Sequence, residues 1–185
     1  RGIALYTQLL RRKLPDLSPE AATCVSHLFT SAERMETLVQ DLLVYTQVSE
    51  KEETAPQTVD CNEVLDYVRR NLENALEASC SEMLCGDLPT LPGHRTRLIQ
   101  VFQNLVSNAV KYSRKDTPPR IVVTAARHRD EWIFSVEDNG IGVEPEFHER
   151  IFGVFRRLHS REIPGTGIGL AICKRIVEGY GGRIW

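Results

Sequence analysis

The sequence predicts an α+β chain, a helical hairpin followed by a domain in which helices and antiparallel strands are segregated. Three observations predict it. Residues 19–48 carry apolar positions at Val25, Leu28, Ala32, Met35, Val39, Leu42 and Thr46, a 3-4-3-4 seam sustained over three heptads. Ile121-Val122-Val123-Thr124-Ala125-Ala126 and Glu131-Trp132-Ile133-Phe134-Ser135-Val136-Glu137 read as two strands joined around Arg129-Asp130. Helix-patterned stretches flank that strand pair without the alternating β-α-β order of a doubly wound sheet.

Composition narrows the function. A hydrophobic share of 42% is enough for a packed core, and a net charge of −2 argues against a nucleic-acid or membrane-surface binder. Cys24, Cys61, Cys80, Cys85 and Cys173 are odd in number and match no metal or redox spacing. They read as reduced thiols, and the expected setting is cytoplasmic. No apolar run reaches membrane-spanning length, no membrane insertion is expected, and no signal peptide is visible. The sequence starts at Arg1 and stops mid-pattern at Ile184-Trp185, as a segment of a longer protein would.

Taken in order, residues 2–14 read as a first helix with Arg11-Arg12-Lys13 near its end, where positive charge suits the dipole. Ser18 is a fitting N-cap with Pro19 at the first helical position. The seam of 19–48 needs a partner. Two hairpins packed as a four-helix bundle would supply one, giving a homodimer through residues 2–48. The alternative is that the hairpin packs on its own C-terminal domain. Residues 49–57 are charged and end at a Pro-Gln breaker, which makes them the expected linker between a hairpin at 1–48 and a domain at 58–185. Within that domain the pattern predicts a strand at 58–60, a helix at 62–78, a strand at 81–85, a loop at 86–93 and a helix from about 94 to 112. A short helix after Gly142, a helix at 168–179 and a last strand at 183–185 complete it.

Three stretches carry chemistry. On the helix at 94–112, Gln100, Asn104, Asn108 and Lys111 fall at about 0°, 40°, 80° and 20° on a helical wheel. The apolar Leu98, Val101, Phe102, Leu105, Ala109 and Tyr112 fall between about 100° and 200°. A solvated face would favour Glu, Lys and Arg; a line of short amides suits a hydrated Mg²⁺ and phosphates. Asp138-Asn139-Gly140-Ile141-Gly142 follows a strand, so a buried carboxylate would sit where a flat ligand bearing an exocyclic amine can approach closely spaced glycines. Gly165-Thr166-Gly167-Ile168-Gly169-Leu170 opens a helix, which makes an anion cradle of its free N–H groups. The Rossmann order of glycines is absent, and so is the Gly-Lys-Ser/Thr of a P-loop.

Together these stretches resemble sensor histidine kinases. Gln100 to Ser113 is similar to their N box, Asp138 to Gly142 to the first glycine box, Phe152 to Phe155 to the F box and Gly165 to Leu170 to the second glycine box. The run from Phe155 to Gly169 looks most like the phytochrome-type branch. The resemblance implies a two-layer α/β sandwich, a mixed and largely antiparallel sheet covered by helices, preceded by a dimerisation and histidine-phosphotransfer hairpin. It implies ATP and Mg²⁺, with Asp138 accepting from the adenine amine while Gly140 and Gly142 shape the pocket. Asn108 would ligate the metal beside Asn104, and Lys111 and Tyr112 would meet phosphate and ribose. Residues 153–166 would form a lid, from which Phe155 and Arg157 would border the nucleotide. Gly165, Thr166, Gly167 and Gly169 would hold the phosphates, with Leu170 beside them. The implied reaction moves the γ-phosphoryl of ATP to a histidine and then to an aspartate of a response-regulator receiver domain.

One departure bears on that reaction. The family's acceptor lies in a His-Glu/Asp-x-x-x-Pro string, and none of His27, His94, His128, His148 and His159 stands in one. His148-Glu149 lacks the proline and reads as surface. The acceptor is therefore expected upstream of this segment, or the protein is a degenerate ATP-binding dimeric sensor or scaffold. Gly93-His94 stands where the family often has Gly-Asp. A hydrolysing ATPase of the gyrase type is a third reading, opposed by an amide rather than a carboxylate at Asn104.

Overall fold

Ser18 opens the first helix as its sequence position predicts. Its hydroxyl accepts from the Ala21 N–H at 3.3 Å, and Pro19 begins the helix α1, Pro19–Gln47. The computed structural model describes residues 18–48, 55–158, 163 and 165–185. The helix expected at 2–14 and residues 49–54 of the expected linker lie outside the described residues. The seam residues Leu28, Met35, Val39 and Leu42 are 45–59% exposed. A different edge of α1, carrying Leu38, Val44, Tyr45 and Val48, packs on the C-terminal domain. The two ways of covering this helix thus use separate faces.

The domain begins with β1, Gln57–Asp60, so Gln57 belongs to a strand and not to the linker. Asp60 caps the next helix, α2 (Cys61–Asn71), by accepting from the Asn62 N–H at 2.8 Å. That bond and a second from the Asn62 side chain hold the Asp60 carboxyl below the usual carboxylate range. The single helix expected at 62–78 is two helices. Leu72 leaves helical geometry (φ −103°, ψ 7°), and α3 restarts at Glu73–Ala78. After β2 (Glu82–Cys85) the expected loop contains β3, Thr90–Gly93, paired antiparallel with β1. Pro92 sits opposite Thr58 in this two-stranded sheet, a place where a residue without an N–H is tolerated and where it hides the strand pattern.

Helix α4 spans Arg95–Lys111. Strands β4 (Arg120–His128) and β5 (Glu131–Asp138) form the predicted hairpin, turning at Arg129 with φ 55°. The larger sheet runs β2-β4-β5, with β2 parallel to β4 and β4 antiparallel to β5. Two 3₁₀ turns, Pro145–Phe147 and Arg150–Phe152, replace the short helix expected after Gly142. The last helix, α5, is Gly169–Gly179. No strand forms at 183–185. Gly181 turns the chain at φ 75°, and Ile184 packs against α5 instead of entering a ladder.

The fold is therefore α+β, a mixed sheet with helices on it. Val64, Leu65 and Val68 of α2 and Phe102, Val106 and Ala109 of α4 meet Ile121 and Val123 of β4 in the main core. Burying each such aliphatic side chain contributes about 1.5–3 kcal/mol. A second cluster joins Val101 of α4 to Ile168, Ile172, Cys173 and Ile176 at α5. Helix α4 belongs to both clusters, so the apolar half of its surface is fully committed. All five cysteines are free thiols, and burial pushes Cys173 up to about 12.

Candidate functional site

The remaining surface of α4 builds the site. Val101, Phe102, Val106 and Ala109 are buried, while Gln100, Asn104, Asn108 and Lys111 are each half-buried. None of the four is exposed, so the stripe is not a solvated face.

At the C-terminal end of α4 the chain meets the end of β5. The Gly140 N–H donates to Asp138 Oδ1 at 2.8 Å, and the Ile141 N–H donates to the Tyr112 carbonyl at 3.0 Å. Arg114 Nε donates to the Gly140 carbonyl at 3.0 Å. A Cβ at Gly140 would lie 2.6 Å from both Asp138 Oδ1 and the Tyr112 carbonyl oxygen, so only glycine lets the loop close on the helix here. The carboxylate itself is exposed and not buried as the sequence suggested. It sits at the last residue of β5, a strand paired on one side only among the described residues, where it opens to solvent. One of its oxygens is fixed by Gly140, and an ionised carboxylate retains further acceptor capacity for a ligand.

The glycine-rich stretch before α5 approaches α4 from the other side. A side chain at Gly165 would collide with the Lys111 ammonium, which also lies 4.7 Å above the Tyr112 ring. Gly167 takes φ 75° and brings its Cα against the Arg156 carbonyl, where a Cβ would be at 2.9 Å. Asn104 Nδ2 donates to the Gly169 carbonyl at 3.3 Å. No side chain caps the start of α5, which leaves its first N–H groups to an anion. Arg157 donates to the Ile163 carbonyl.

Between these parts lies a cavity of about 210 Å³. Of the residues the sequence singled out, Asn108, Tyr112, Asp138, Gly142, Arg157 and Leu170 line it. Lys111 and Asn104 lie beside it, joined to Gly165 and Gly169, and Gly140 backs Asp138. Phe155 does not line it. The backbone there is left-handed (φ 59°), the ring is 58% exposed, and Arg156 and Leu158 take the wall. Sequence reasoning missed the apolar walls, Leu105 and Ala109 from α4, Val136 from β5, and Ile141, Val143 and Ile151. Leu105 and Ala109 fall on the apolar face of the helix, where a wall residue and a core residue look alike. The result is a slot with apolar walls and the Asp138 carboxylate in its lining, with the Lys111 ammonium and the start of α5 beside it. That arrangement fits a flat heterocycle carrying an amine and a polyanionic tail.

Comparison with known proteins agrees. Residues 93–185 match the family described as histidine kinase-, DNA gyrase B-, and HSP90-like ATPase. The chain is 40% identical over 185 residues to phytochrome-like protein Cph1 of Synechocystis sp., covering 99% of this chain and 24% of that protein. It is 41% identical to cyanobacterial phytochrome A of Nostoc sp. with the same coverage. It thus spans about a quarter of the length of these relatives. Sensor kinases such as WalK of Staphylococcus saprophyticus also match, at 34% identity over 83% of this chain and 26% of the relative. Among solved structures, full-length ShkA in complex with AMPPNP superposes with a TM-score of 0.72 at 28% identity, covering 97% of this chain and 38% of that one. Histidine kinase ThkA in complex with response regulator protein TrrA gives 0.68 at 25% identity, covering 96% and 50%. The chain therefore belongs to the histidine kinase-, DNA gyrase B- and HSP90-like ATPase family, and its homologues are phytochrome-like and sensor histidine kinases.

Proposed function

We propose that this chain is the core of a sensor histidine kinase, moving the γ-phosphoryl of ATP to a histidine outside these 185 residues and then to a receiver-domain aspartate. The observation that carries the proposal is one cavity lined by Asp138, by Asn108 of the α4 stripe and by Leu170 of α5, a helix whose start has no side-chain cap. Asp138 accepts the adenine amine, held in orientation by the Gly140 N–H. Leu105, Ala109, Val136 and Ile141 enclose the ring. Tyr112 borders the ribose, Lys111 meets phosphate, and the Gly165–Gly169 backbone receives the phosphate oxygens.

The donor set fits Mg²⁺. Among the described residues no three His, Cys, Asp or Glu side chains gather, so a cation here relies on a single neutral oxygen, Asn108 Oδ1, with phosphates and water. Mg²⁺ binds in that manner and would neutralise charge on the β- and γ-phosphates. The response-regulator partner is proposed from the reaction chemistry and from the ThkA complex. A second reading, a degenerate ATP-binding dimeric sensor or scaffold, is favoured by one observation. His148, the nearest lookalike of the acceptor string, is an exposed residue bonded to the Val143 carbonyl at 3.0 Å.

Three outcomes test these assignments. Asp138→Asn should weaken binding of an ATP analogue by about 1.5–3 kcal/mol, the usual worth of a hydrogen bond to a charged group, and calorimetric titration with unchanged affinity would sink the adenine assignment. The exposed seam of α1 is proposed as the dimer interface, so glutamates at Leu28 and Met35 should convert dimers to monomers in sedimentation; a wild-type chain that is monomeric at high concentration would contradict it. Hydrolysis should be slow. Asn104 is neutral and its amide already donates to Gly169, so no carboxylate stands one turn before Asn108 to activate water. Phosphate release on the order of 1 s⁻¹ or faster, abolished by Asn108→Ala, would identify water as the natural acceptor and refute the kinase reading.

A further inference from the structure

The docked edge of α1 contains one residue that does not belong in an apolar contact. Leu38, Asp41, Tyr45 and Val48 are spaced 3-4-3 and share a helical face. Leu38, Tyr45 and Val48 pack beside Ile168, Ile172 and Ile176. Arg175 of α5 lies 4.8 Å above the Tyr45 ring and donates to its hydroxyl at 3.1 Å. Asp41, half-buried in the middle of this stripe, reaches Thr166, whose Oγ1 donates to Asp41 Oδ2 at 2.5 Å. Thr166 is part of the glycine-rich loop, between Gly165, which abuts Lys111, and the Ile168 N–H that Thr166 Oγ1 accepts at 3.4 Å.

We infer that Asp41 is an internal anion ligand of the phosphate cradle, so that docking of α1 on α5 and binding of a nucleoside triphosphate oppose each other. This rests on the nucleotide-site reading given above. The argument is one of stoichiometry and of charge. A threonine hydroxyl has a single proton to donate. Given to Asp41, it is not available to a phosphate oxygen. A triphosphate seated on the Gly165–Gly169 backbone brings several negative charges to the loop against which the Asp41 carboxylate rests, and like charges at such range repel. Asp41 can leave only if the helix edge lifts, because Leu38 and Tyr45 on either side hold it in register against α5. Apart from the Arg175–Tyr45 pair the rest of the contact is apolar, and Asp41 is its one anionic group bonded to the cradle among the described residues. Asp41 is therefore the residue through which the cradle senses the hairpin, and the coupling must be reciprocal: what weakens docking strengthens triphosphate binding, and the reverse.

Adenosine provides the control, since it fills the apolar slot and carries no phosphate. Titrating the full chain with a non-hydrolysable ATP analogue and with adenosine, for the wild type, Asp41→Asn, Asp41→Ala and Tyr45→Ala, tests the inference. The analogue should bind all three variants at least about fivefold more tightly than wild type, within the usual range of such couplings. Adenosine affinity should not change. Tyr45→Ala separates undocking from the loss of one charge, because it leaves Asp41 in place. Analogue affinity that is unchanged or weaker in both Asp41 variants overturns the inference while leaving the nucleotide site standing. A gain shared equally by adenosine also overturns it, since the effect would then not run through phosphate. A wild-type chain that binds neither ligand overturns the nucleotide reading and this inference with it.

Discussion

Helix α4 has to satisfy two unlike environments at once, and the rest of the domain is arranged around that demand. Its apolar side is shared between two clusters, Phe102, Val106 and Ala109 toward α2 and β4, and Val101 toward α5. With both clusters fixed, the helix cannot rotate about its axis without exposing aliphatic surface worth several kcal/mol. That rotational lock is what aims Asn104 and Lys111 at the glycine-rich loop and Asn108 into the cavity. The site is thus positioned by core burial and only trimmed by its polar contacts.

The polar contacts act at the two ends of the stripe. At one end the Tyr112 carbonyl, left over as α4 terminates, is satisfied by the Ile141 N–H, so the helix end and the turn carrying Asp138 are held by the same bond. At the other, Asn104 grips the Gly169 carbonyl and sets where α5 begins. An amide serves there because it donates to a carbonyl; a carboxylate in its place would face that carbonyl as a second acceptor. On the proposed function, the residue that would withhold a general base from water is also a brace for the glycine-rich loop.

Much of this was legible in the sequence because it rests on local rules. The Ser18–Pro19 start of α1, the angular placement of the α4 stripe and the hairpin turn at Arg129-Asp130 each depend on neighbours within a few residues. What escaped depends on distant partners. Strand β3 is hidden by Pro92 and becomes a strand only because β1 lies beside it. The break at Leu72 leaves no Gly or Pro in the sequence to mark it. The exposure of Asp138 follows from its place at the end of β5, and the absence of a strand at 183–185 from the packing of Ile184 on α5. Leu105 and Ala109 read as core because a wall of a slot and a core residue share one hydropathy signature. Packing of α1 on the C-terminal domain was legible only as an alternative, because its docked edge mixes Asp41 with Leu38, Tyr45 and Val48 and so carries a weaker pattern than the seam.

The central claim is that the polar stripe of α4 reads phosphate while the slot beyond it reads the base. Comparing Lys111→Ala and Asn108→Ala with wild type, using an ATP analogue in magnesium and adenosine as separate ligands, tests it directly. The account predicts a loss of at least about tenfold for the analogue, some 1.4 kcal/mol, with adenosine affinity held within about twofold. Equal losses for both ligands, or no loss for either, would contradict it.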